Sequence, residues 1–126
     1  MESEPRGELT LRSVAMPADT NPAGDIFGGW IMSLMDLAAG TAASIRSNGR
    51  AVTASVSHLS FLRPVKVGEV VCVYTEVKSC GRTSITIIVE AWTVPRDGGL
   101  HHKVTVAEFV MVAVDSSGLP RAVPAE

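Results

Sequence analysis

From residue 51 onward the chain alternates apolar and polar side chains at period two, whereas the stretch before it repeats its apolar positions at spacings of three and four. That change of period separates one helix from a series of strands. Trp30, Ile31, Leu34, Met35, Ala38, Ala42 and Ile45 recur at the helical spacing and predict a helix over residues 28–47. Asn48-Gly49 follows and supplies the stop, since a residue able to turn left-handed closes the last helical turn. A first strand is predicted over residues 8–16, carried by Leu9, Leu11 and Val14. Turn-forming Pro, Asp, Asn and Gly then crowd residues 17–24. Further strands are predicted over residues 51–62, 69–79, 83–94 and 103–115. Arg63-Pro64 ends the first of these, Cys80-Gly81-Arg82 makes a tight connection, and Asp97-Gly98-Gly99 makes a hairpin loop. Residues 1–7 and 117–126 are predicted to be loose ends of a single domain spanning 1–126.

The order β-α-β-β-β-β gives an α+β fold in which one long helix lies against a curved, five-stranded antiparallel sheet. The strands over 83–94 and 103–115 are long. Adjacent Ile87 and Ile88 place apolar groups on both faces of the first of them. One helix cannot cover both faces. Edge-to-edge pairing of two copies into a continuous sheet, with further copies on the outer face, is therefore expected.

Composition points the same way. The chain has 126 residues, enough for one domain. It is 46% hydrophobic, with a mean hydropathy of +0.26, yet no apolar run approaches the ~18 residues of a membrane span. The surplus apolar surface is thus assigned to subunit contacts rather than to lipid. Net charge is −2 with Lys and Arg scattered, which excludes a nucleic-acid footprint. The first eight residues are charged and lack the apolar core of a secretion signal. Cys72 and Cys80 lie in or beside one predicted strand, about 26 Å apart if it runs straight, beyond disulfide reach. Reduced thiols and a cytoplasmic location are expected. No His or Cys spacing suits a metal, and the adjacent His101-His102 point to opposite faces of a strand.

The candidate chemistry is concentrated in Asn21-Pro22-Ala23-Gly24-Asp25-Ile26-Phe27-Gly28-Gly29-Trp30 and in the single acid of the helix, Asp36. Helix N-termini present free N–H groups and a partial positive charge, which suits an anion or a developing oxyanion. Gly28-Gly29 lets a ligand approach that backbone closely. The stretch has neither a Walker ending nor a dinucleotide fingerprint. Asp36 lies two turns further, sharing a stripe with Met32, Ala39, Gly40 and Ala43. Small neighbours either let the helix lie close on the sheet or leave room for a ligand beside the acid. A carboxylate partly buried there is costly unless it is partnered or employed. Asp25 reads equally as a helix cap, and Asn21 as turn chemistry. Arg82, Thr83 and Ser84, in a hairpin, offer one charged and two hydroxyl donors suited to phosphate groups.

At this point the residues carry a resemblance. Residues 15–21, 24–33 and Met35-Asp36 look like the bacterial acyl-CoA thioester hydrolases of the hotdog fold, YciA type. So do Phe61-Leu62-Arg63-Pro64-Val65, residues 67–72, 81–84 and 112–115, and the likeness covers residues 9–124. The resemblance implies a helix wrapped by the sheet, a dimer with a continuous sheet assembled into a hexamer, and hydrolysis of acyl-CoA to free acid and CoA at subunit interfaces. It implies Asp36 as the catalytic carboxylate, with Asp25 facing the reaction centre and Gly29 at the oxyanion position. Asn21, Phe27, Gly28, Phe61, Arg82, Thr83 and Ser84 are then the expected substrate-binding residues. No cofactor is implied, because CoA is part of the substrate, and neither nucleic acid nor membrane is a partner. Two other readings compete. A hydratase or dehydratase of the same fold would place a His near the helix start, and none lies between Asn21 and Asp36. A non-catalytic acyl-CoA-binding protein would need an output domain.

Overall fold

The computed structural model describes residues 4–126. Its elements are β1 (Glu8–Val14), a short 3-10 turn (Pro17–Asp19), α1 (Gly28–Ser47), β2 (Ala51–Phe61), β3 (Val70–Cys80), β4 (Ser84–Val94) and β5 (His102–Ala113). The helix has the predicted bounds, and each strand lies within two residues of its predicted ends. The strands form one antiparallel sheet in the order β1-β3-β4-β5-β2. β1 and β2 are therefore its edges.

Strand alternation decides what faces the helix. Ile85, Ile87, Val89 and Ala91 of β4 are buried on the helix side, beside Val71 and Val73 of β3 and Ala107, Phe109 and Met111 of β5. α1 meets them with Ile31, Met35, Ala38, Ala39 and Ala43. Each large side chain so buried contributes roughly 1.5–3 kcal/mol. The alanines allow close approach, so part of the small-residue stripe does serve packing. Asn48, at φ 56° and ψ 42°, ends α1 in the left-handed conformation that its side chain tolerates. Among the described residues no helix is long and apolar enough to cross a membrane.

On the outer face Glu90 and Trp92 are buried side by side, with the Trp92 indole donating to Glu90 Oε1 at 2.9 Å. The Arg6 N–H donates to the same oxygen at 3.1 Å, and Lys103 Nζ stands 3.5 Å from the other. These partners offset the cost of burying the carboxylate. Arg6, expected to be loose, is thus tied across the sheet; residues 1–3 of the expected loose end lie outside the described residues. Cys72 is buried and Cys80 exposed, both on β3.

The C-terminal segment differs from expectation more plainly. Residues 117–124 are held rather than loose. Val114 and Pro120 form a bridge, Arg121 N donates to Ala113 O, and Val123 N donates to Arg82 O. The Arg121 guanidinium donates to Ser47 O and Ser47 Oγ, and also to Arg50 O and Val114 O. Carbonyls at a helix C-terminus have no intrahelical partner, and this fork satisfies the last of them, Ser47 O. Composition suggested looseness; backbone satisfaction overrides it. Arg121→Ala should cost about 2 kcal/mol, read as a lower thermal-unfolding midpoint, and Arg121→Lys should rescue little because an ammonium lacks the fork.

β2 is the element with least cover. It pairs only with β5 in the sheet order, and most of its eleven residues are exposed, Val52 and Val56 included. Its ladder is irregular at Thr53/Ser55 and Ser57/Ser60, and His58 has φ 54° within the second bulge. An edge strand of this length is a template for pairing with another chain.

Candidate functional site

The loop before α1 is held by its own polar groups. Asn21 N donates to Asp25 O at 2.7 Å, while Asn21 Oδ1 accepts from Ala23 N at 3.0 Å and Asp25 N at 3.1 Å. Gly24 has φ +88°, which a side chain would strain. Phe27 N donates to Asp19 O and Ile26 N to Val65 O, fixing the loop against the start of the helix. With its oxygen engaged, the Asn21 amide has its NH2 group left for other partners.

Asp25 does not cap the helix. The N-cap is Phe27, which makes no side-chain cap hydrogen bond. Asp25 instead forms an ion pair with Lys66 from the loop after β2. The Gly28 and Gly29 N–H groups consequently have no acceptor among the described residues. A Cβ added at Gly29 would meet nothing within 4 Å, whereas one at Gly28 would lie 3.1 Å from the tip of the Phe61 ring. The helix entrance is therefore an open anion-binding end beside an aromatic wall.

Asp36 is exposed in the single chain, not partly buried as the sequence suggested. Its helix face turns toward the free side of β2, where this chain supplies no cover. The Thr53 hydroxyl, from β2, donates to Asp36 Oδ1. Gly40 adjoins open space, and a groove of about 710 Å³ runs past Asp36, Gly40, Ser44, Val52 and Thr53. The other part of the small-residue stripe thus leaves room beside the acid.

The expected site residues fall into three groups along α1. Asn21, Phe27, Gly28, Gly29 and Phe61 gather at its N-terminal end, with Asp25 on Lys66 beside them. Asp36 and Thr53 lie eight residues on from Gly28, about 12 Å along the axis. Arg82, Thr83 and Ser84 sit at the far end. Ser84 pairs with Val112, and Arg82 O receives Val123 N from the tail that also binds Ser47. α1 has 20 residues and spans about 30 Å, so that hairpin and Gly28 lie toward opposite ends of it. One chain does not unite the three groups. Among the described residues two groups have shifted acidity and both lie elsewhere: Lys78 holds the Glu108 carboxyl below its usual range, and burial pushes the Tyr74 hydroxyl up. Among the described residues no group of three or more His, Cys, Asp or Glu converges as metal ligands do.

Thr53 and Lys66 were missed from the sequence. Thr53 carried a signal, being a polar residue at a helix-facing position of an alternating strand. Lys66 carried none, because only the tertiary fold brings it to Asp25.

Comparison with known proteins agrees with this fold. The thioesterase superfamily profile matches residues 23–99. The acyl-CoA thioester hydrolase YciA of Salmonella typhimurium is 48% identical over 129 residues, covering 100% of this chain and 97% of its own. YciA of Escherichia coli K12 is 49% identical over 125 residues, covering 97% and 95%. The crystal structure of a hexameric thioesterase from Yersinia pestis superposes with a TM-score of 0.93 at 48% identity, covering 98% of this chain and 100% of that one. A hexameric hotdog-fold thioesterase of Campylobacter jejuni gives 0.88 at 41% identity, covering 94% and 91%. An acyl-CoA hydrolase from Staphylococcus aureus gives 0.84 at 28% identity, covering 91% and 70%, and was solved with butyryl-CoA and CoA.

Proposed function

The chain belongs to the thioesterase superfamily, and from that premise we propose how its residues carry out the hydrolysis of acyl-CoA to a free acid and CoA. It is an acyl-CoA thioester hydrolase of the hotdog fold. The observation that carries the mechanism is a pair of features on one helix: N–H groups at Gly28 and Gly29 with no acceptor among the described residues, and a carboxylate at Asp36 held by Thr53 beside an open groove.

The thioester carbonyl rests against Gly28 and Gly29, whose N–H groups stabilise the oxyanion by about 3 kcal/mol per good donor. The Asn21 amide, its oxygen fixed within the loop, offers a further donor from its NH2 group. Asp36 takes a proton from water, the hydroxide adds to the carbonyl carbon, and the tetrahedral intermediate expels the CoA thiolate. The proton on Asp36 passes to that sulfur. Hydrolysis so written needs no cofactor beyond the CoA of the substrate itself. Support for Asn21 comes from the Staphylococcus aureus hydrolase, studied with alanine in place of an aspartate in one variant and of an asparagine fifteen positions earlier in another. Asn21 and Asp36 have that same separation. Asp25, engaged by Lys66, holds the Asn21 loop in place rather than meeting substrate.

About 12 Å separates Gly28 from Asp36 along one helix, too far for both to reach one carbonyl. We place the site between two chains. Pairing β2 antiparallel with a second β2 sets the Thr53 end of one against the Phe61 end of the other. The Gly28–Gly29 turn of one protomer then faces Asp36 of its partner. The partner's Arg82, Thr83 and Ser84 come to the same end and offer donors to the CoA phosphates. Three such dimers form the hexamer, which covers the outer apolar surface. Unpaired Cys72 and Cys80 support a cytoplasmic location.

The direct test is release of free thiol from a panel of acyl-CoAs, followed with a disulfide-exchange dye. Thiol from none of them would remove the hydrolase assignment. Thr53→Val should lower kcat about tenfold with little change in KM, as loss of one charge-assisted hydrogen bond to the base predicts; an unchanged kcat would separate Thr53 from Asp36.

A further inference from the structure

A recess of about 350 Å³ opens beneath the first turn of α1, beside Gly28. Its walls are mostly apolar, with Ile26, Ile31, Leu62, Pro64 and Val65, and Arg63 as the one charged side chain. The volume is at the small end of ligand cavities, which run about 300–1,000 Å³. One further wall is the ring of Phe61, the last residue of β2. Phe61 is 49% exposed, and the tip of its ring lies against Gly28. Directly across the β2–β5 ladder from Phe61 is Thr105, on the same face of the sheet. Thr105 is fully buried, and its hydroxyl has no hydrogen-bond partner among the described residues. An unpaired buried hydroxyl is a poor neighbour for hydrocarbon and favours a polar atom.

We infer that Phe61 sets the acyl-chain length this enzyme accepts, by closing the recess next to the oxyanion site, with Thr105 as a polar floor behind it. The inference rests on the proposal that the thioester carbonyl lies at Gly28 and Gly29. A carbonyl held there sends its alkyl group away from the sulfur, and the mostly apolar space adjoining Gly28 is this recess. A short alkyl group fits between the helix turn and the ring. A longer one has to displace the ring, and then meets the Thr105 hydroxyl.

The test measures kcat/KM for straight-chain acyl-CoAs from acetyl to palmitoyl in the wild type and in Phe61→Trp, Phe61→Leu and Phe61→Ala, each confirmed to assemble as the wild type does. The optimum should move to longer chains in the order Trp, Phe, Leu, Ala. The long-to-short ratio should rise at least about tenfold in Phe61→Ala, the range that methylene-sized changes in a pocket give. Adding Thr105→Val to Phe61→Ala should raise it further. If Phe61→Ala fails to assemble, the Leu and Trp variants still have to move the optimum in opposite directions. An unchanged profile in assembled Leu and Trp variants overturns the inference. A wild type that hydrolyses no acyl-CoA overturns the hydrolase assignment instead, so the two failures are distinct.

Discussion

Asp36→Ala is expected to lower kcat by about a thousandfold, the middle to upper part of what a positioned general base contributes, while the assembly survives. The two halves of that expectation have separate physical grounds. The loss of rate follows because Asp36 is the only acid on α1, and its carboxylate is oriented by Thr53 in a groove with room for a ligand. Survival follows because the side chain is exposed and contributes nothing to the core, and because Ala is a better helix former than Asp. Asp36→Asn should be as inactive, since the amide keeps an acceptor for the Thr53 hydroxyl but cannot take a proton from water. A single turnover in 18O-labelled water extends the test. Label in the Asp36 carboxylate marks it as a nucleophile forming an anhydride opened at the aspartyl carbonyl, whereas the base mechanism puts label in the released acid alone. Near-normal turnover in either variant would remove Asp36 from the mechanism.

Mixing two inactive variants is expected to restore activity. Gly29→Val fills space that is open in the chain, so it should fold normally while blocking approach to the helix end. Asp36→Ala leaves that end intact but removes the base. If the site joins the helix end of one protomer to Asp36 of its partner, a mixed dimer contains one site with both defects and one with neither. Random reassembly after unfolding and refolding an equal mixture then gives about one quarter of wild-type activity. If a single chain supplied both groups, the mixture would stay as inactive as its components. The argument for two chains is one of length. Eight residues of helix span about 12 Å, and Asp36 and Gly28 have different partners on β2, Thr53 and Phe61. Recovery well below a tenth of wild type, with mixed dimers shown to form, would place the site in one chain.

The residues themselves determined a good deal. The switch from a three-and-four spacing to alternation located α1 at its observed bounds and all five strands, because those periods are fixed by local backbone geometry. Asn48 ended the helix for the same local reason, and the long resemblance identified the family that the comparisons then showed. The tertiary structure decided whatever depends on groups distant along the chain. It tied Asp25 to Lys66, which left the Gly28 and Gly29 N–H groups uncapped. It put Thr53 on Asp36 and showed that acid to be exposed on the side where β2 ends the sheet. It fastened the tail expected to be loose, because Arg121 donates to the last carbonyl of α1, Ser47 O, and to the Ser47 hydroxyl. It also set Arg82 at the opposite end of α1 from Gly28. Periodicity reports which face a side chain occupies; which partner meets it there is set by strand order and loop closure, and these follow only from packing the whole chain at once.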